Sequence, residues 1–96
     1  MTTWFVTRHP GAVSWAARQD LTVDRVVVHL DASAVEPGDR VIGTLPVHMA
    51  AAICERGATY WHLALSLPPQ LRGKELSVEE MERAEARIER YHVERL

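Results

Sequence analysis

Ninety-six residues with 47% apolar side chains allow one domain around one core. A formal charge of −2 excludes the basic excess of a protein that coats duplex DNA or RNA, but it leaves room for a local basic pocket that holds a small anion. The single cysteine, Cys54, excludes an internal disulfide framework and a multi-cysteine zinc site. With no leader pattern and no run of the ~20 apolar residues that a membrane helix needs, the expectation is a cytoplasmic protein with no membrane partner.

In chain order, Thr3 to Thr7 reads as a short apolar strand, and the run from Ala12 to Ala17 has helical spacing, with Pro10 suited to the first turn. Asp20 to Thr22 breaks that helix. Val23 to Leu30 follows, and its consecutive Val26, Val27 and Val28 predict a strand covered on both faces. Pro37-Gly38 marks a turn. Val41 to Thr44 is a third strand, and Pro46 to Arg56 is a second helix with Val47, Ala50, Ala51 and Cys54 on one stripe and Gly57 as its stop. Thr59 to Leu65 is a fourth strand, followed by a surface loop from Leu67 to Glu75. Ser77 with Glu80 forms a capping box that opens a last helix, with Val78, Met81, Ile88 and Tyr91 inward. The alternation of strands and helices predicts an α/β protein. Its sheet is a small Rossmann-like one, mainly parallel and four-stranded, in the order 2-1-3-4 with flanking helices.

In that order the sheet has a switch point between strands 1 and 3, the usual place for a ligand in an open α/β sheet. Two junctions flank it. Thr7-Arg8-His9-Pro10-Gly11 brings a guanidinium and an imidazole to a helix start, where unpaired amides and a partial positive charge favour an anion. Gly43-Thr44-Leu45-Pro46-Val47-His48 repeats the recipe, and the two together predict one shared site. Arg8, His9 and His48 are the candidates for charge stabilisation and proton transfer. Thr7, Pro10, Gly11, Gly43, Thr44 and Leu45 are the candidate ligand contacts, with Ser66 at the end of strand 4 and Arg72 and Lys74 in the loop able to cover an anion. His29 and Asp31 come to the same side from strand 2. His29 and His62, at or within strands, read as packed histidines. No histidine pair has the spacing of a helical zinc motif, so no metal or cofactor is expected.

The segments Phe5 to Ala12, Gly38 to His48, Trp61 to Leu63 and Leu67 to Gly73 resemble a family of small type III CRISPR accessory proteins over nearly the whole chain. The motifs that carry the resemblance are FVTRHPGA and GDRVIGTLPVH. The resemblance implies a compact CARF-like dimer of the standalone ring nuclease type, with the cyclic oligoadenylate messenger, chiefly cyclic tetra-adenylate, as its partner. Arg8, His9, Thr44 and His48 carry over as residues of the motif, without a settled role. The expected chemistry is metal-independent cleavage by ribose 2′-hydroxyl attack, giving linear oligoadenylates with a 2′,3′-cyclic phosphate. A protein that sequesters the ring without cutting it is the alternative, and a structural subunit of a larger effector is a third. The Arg-His-Gly of histidine phosphatases is a poor match, because Pro10 stands where its glycine would be.

Overall fold

A computed structural model describes residues 1–66, 69–71, 73 and 75–96. The strands are β1 (Thr3–Val6), β2 (Arg25–Val27), β3 (Arg40–Gly43), β4 (Thr59–Ala64) and β5 (Arg87–Tyr91). The helices are α1 (Pro10–Arg18), α2 (Val47–Glu55) and α3 (Val78–Arg83). One five-stranded sheet runs β2-β1-β3-β4-β5, parallel through β4 and antiparallel at β5.

The two faces of the central strands are both covered, because their side chains are apolar without alternation. Trp4, Val41 and Tyr60 stand in register and pack under α2 with Leu45, Ala50 and Ile53. One residue along, Phe5 and Ile42 face the opposite way and pack under α1 and α3 with Ala12, Trp15, Ala16 and Met81. The molecule is thus three layers with the sheet in the middle. Right-handed crossovers leaving β1 and β3 in opposite directions place α1 and α2 on opposite faces.

The order 2-1-3-4 stands, and two expectations are corrected. The last helix does not reach Tyr91. It ends at Arg83, and Arg87 to Tyr91 forms a fifth strand beside β4. Glu85 takes a left-handed conformation (φ 56), and the chain stops the helix there with Glu85 N–H donating to Glu82 O and Ala86 N–H to Met81 O. That pairing is a Schellman stop formed without glycine. Past it, the chain pairs with β4, whose backbone groups find a second neighbour instead of solvent. The sheet is therefore mixed and five-stranded.

The second correction concerns strand 2, which is not covered on both faces. β2 has three residues at the sheet edge, and Val26 and Val28 are 50% and 55% exposed. A β-branched run marks a strand but does not say how many neighbours it will have.

Candidate functional site

At the carboxyl ends of the parallel strands, on the α1 side, lies a crevice of about 530 Å³. Its floor is apolar: Val6, Ala12, Leu63, Leu65, Leu76 and Met81. Around it stand Thr7, Arg8 and His9 from the end of β1, His29 from beyond β2, and Thr44 from beyond β3. The size and the pairing of an apolar floor with a few converging polar groups are those of an ordinary small-ligand site.

The segment that carries Arg8 is held by its neighbours. Thr7 N–H continues the ladder to Val27 O at 2.9 Å, and the Thr7 hydroxyl accepts from His9 N–H at 3.1 Å. His9 is the N-cap of α1 and makes no side-chain cap; its carbonyl accepts from Ala12 and Val13 N–H. Pro10 has no N–H to offer, so Gly11 is the one residue of the first turn whose amide lacks a backbone partner among the described residues. The anion attraction here comes chiefly from Arg8 and the helix dipole, with a smaller amide contribution than the sequence suggests. Among the described residues, Arg8 has no carboxylate partner and the buried His9 Nδ1 has no hydrogen-bond partner.

The glycines at the two junctions form the framework of the crevice. A side chain on Gly11 would run into the carbonyl oxygen of Leu76, and one on Gly43 would lie 2.7 Å from Val6 O with φ at 155. Each lets two backbones approach closely. Leu45 is buried in the α2 core, and its N–H donates to Tyr60 Oη at 2.9 Å. Tyr60 Oη also meets Gly43 O at 3.2 Å and His62 Nδ1 at 2.7 Å. With one proton and two lone pairs, this hydroxyl satisfies all three if His62 donates and Gly43 O accepts. Burial pushes the Tyr60 phenol up, so it remains a neutral tether for the loop that carries Thr44. Thr44 does not cap α2. Its hydroxyl donates to Leu63 O at 3.1 Å, across to β4, while Pro46 is the N-cap.

The structure thus gathers Thr7, Arg8, His9 and Thr44 in one crevice, and leaves other candidates elsewhere. Pro10 is an exposed helix-opening residue, and Ser66 lies beyond β4, where its hydroxyl accepts from Arg87 Nη1 at 3.4 Å. His48 lines a separate groove of about 390 Å³ between α2 and the segment Val93 to Arg95. The crossover rule that creates the switch point also turns α2 to the far face and takes His48 away from Arg8 within one chain. Arg72 and Lys74 fall outside the described residues. His29, read from sequence as a packed histidine, is exposed and lines the crevice. Its place at the end of β2, in the same row of strand ends as Arg8 and Thr44, is as the sequence suggests; its packing is not, because β2 is an edge strand with few neighbours. Asp31 lies just beyond as the cap of a short 3-10 turn, accepting from Ser33.

Among the described residues, no three His, Cys, Asp or Glu gather as a metal-binding group, and no helix is long and apolar enough to cross a membrane. No curated protein and no solved structure matches the chain. A family model described as "Putative CRISPR-associated protein (Cas_VVA1548)" matches residues 4–94, nearly the whole length, and the chain belongs to that CRISPR-associated family.

Proposed function

We propose that this protein is a ring nuclease that cleaves cyclic tetra-adenylate without a metal ion. The observation that carries the reading is the convergence of Arg8, His9, Thr7 and Thr44 above an apolar floor at the sheet's switch point. Family membership supplies the context, since a CRISPR-associated protein of this size with an anion-holding crevice suits a nucleotide messenger. The apolar floor suits an adenine face, and Arg8 with the α1 dipole suits a phosphate.

A crevice of about 530 Å³ holds a ligand on the order of one or two nucleotides. A ring of four needs two such crevices, which a two-fold dimer supplies by presenting the same face from each chain. In the reaction, a ribose 2′-hydroxyl attacks the adjacent phosphorus, the bond to the 5′-oxygen breaks, and the product is a linear oligoadenylate ending in a 2′,3′-cyclic phosphate. Holding the attacking and leaving oxygens in line and neutralising the phosphorane charge are the protein's tasks. Arg8 stabilises the charge, and His9 transfers a proton.

The test is incubation of cyclic tetra-adenylate with catalytic and with stoichiometric protein in EDTA. Turnover well beyond one equivalent, with cyclic-phosphate ends, is the expected result. Arg8→Ala should lower it by about 10²-fold or more, the usual loss for one charge-stabilising donor. Tight retention of intact ring would make the protein a sink for the messenger, and neither outcome would remove the ligand assignment.

A further inference from the structure

We infer that His29, which lines the same crevice as Arg8 and His9, is the second proton-transfer group of the site. The inference rests on the ring-nuclease reading above. Cleavage by a 2′-hydroxyl needs two proton transfers: one from the attacking hydroxyl, one to the departing 5′-oxygen. If both go to and from side chains, the site must hold two groups that change charge near neutral pH. The described residues lining the crevice include three titratable side chains, Arg8, His9 and His29. A guanidinium stays charged and serves neither transfer, so the two imidazoles remain.

Their placement agrees with that division of labour. His9 arrives from the end of β1 and His29 from beyond β2, and β1 and β2 are paired neighbours in the sheet. The two residues thus line one cavity from separate strand ends. Among the described residues, the buried His9 Nδ1 has no hydrogen-bond partner, and the exposed His29 has no hydrogen bond or ion pair. Neither ring is committed to holding the fold together. His48, the other sequence candidate, lines a groove on the α2 side and could serve this crevice only from another chain.

The balance is complete without a co-reactant. One imidazole takes the 2′-hydroxyl proton as the new phosphorus–oxygen bond forms. The other imidazolium gives its proton to the 5′-oxygen as that bond breaks. Proton exchange with solvent then resets both rings.

The experiment compares the unsubstituted chain with His29→Ala and His29→Asn. Single-turnover cleavage of cyclic tetra-adenylate in EDTA is followed across about pH 5 to 9, the range over which an imidazole changes charge. Binding is measured separately by calorimetry, with a ring methylated at all four 2′-oxygens, which cannot react by this route. Because His29 is exposed and unbonded, both variants should keep the unsubstituted melting temperature. The expected result is cleavage slower by about 10²- to 10³-fold and loss of one limb of a bell-shaped pH profile. Affinity for the methylated ring should stay within about threefold, under 1 kcal/mol. His9→Ala/His29→Ala should fall little below the worse single variant, since residues acting as a unit are not additive. An unchanged rate and pH profile in His29→Ala would overturn the inference, as would a loss of binding equal to the loss of rate. Failure of the unsubstituted chain to bind or cut the ring would instead overturn the underlying reading, and it shows before any substitution is made.

Discussion

Beneath the sheet, away from the crevice, the buried Asp39 carboxylate accepts from Thr2 N–H at 2.8 Å, Glu36 N–H at 3.0 Å and Trp4 Nε1 at 3.1 Å. It ties the first strand, the turn before β3 and the largest side chain of the α2 core to one point. The Glu36 and Thr2 amides, with a smaller share from Trp4, hold its pKa below the ordinary 3.8 against the opposing effect of burial. A depressed carboxylate stabilises the fold at pH values above its unfolded pKa, and that contribution is lost as pH falls through the folded pKa. Asp39→Asn should therefore cost about 2 kcal/mol at neutral pH, because an amide cannot accept all three bonds with the strength of a charge. The gap in denaturant midpoint between the two proteins should shrink once the pH drops below the usual carboxylate range. A gap that is constant down to strongly acid pH would show that the charge of Asp39 contributes nothing to stability.

Helix ends decide which parts of this fold could be read ahead. The segments from β1 through β4 were legible because apolar period, Pro10, Pro37-Gly38 and Gly57 punctuate them in the ordinary way. The turn after α3 was not, since Ala84-Glu85 contains no glycine or proline and Val78, Met81, Ile88 and Tyr91 mimic a continuing helical stripe. Legibility of the site divides along the same line. Arg8 and His9 stood out because they replace the usual cap residues, whereas separating His48 from them required knowing which face α2 covers. The αL stop at Glu85 makes its own prediction. A side chain at φ 56 pays a steric cost that glycine does not, so Glu85→Gly should stabilise by roughly 1 kcal/mol, or about 4–8 °C in melting temperature for a chain of this size. Asp20, at φ 57 after α1, is the internal control: aspartate tolerates αL better, and Asp20→Gly should gain less. An equal or lower melting temperature for Glu85→Gly would mean that strain at this turn is not what limits α3.

At the scale of the whole molecule, the sheet's two edges differ, and the difference bears on how two chains would share one ring. The β5 edge carries Arg87, Glu89, Arg90 and Tyr91, with Arg87 within 3.9 Å of Glu89, the charged pattern that keeps strands from pairing. The β2 edge is short and presents Val26 and Val28 half exposed, and Val28 also lines the crevice. For the two-fold dimer that the proposed function calls for, an exposed apolar edge beside the crevice is the natural seam: joining there would remove the valines from water and bring the two crevices toward each other. The other route, through the groove of Val47, His48 and Val93, would set the crevices on the far faces of the pair. The seam at β2 therefore predicts a stoichiometry of two chains per ring. It also predicts that Val26→Lys, which places a charge on that edge without touching the crevice lining, lowers both the dimer fraction in sedimentation and the affinity for the methylated ring. Val47→Lys should change neither. If instead Val47→Lys dissociates the dimer while Val26→Lys leaves it whole, the chains meet through α2, and His48 of each faces the partner rather than solvent.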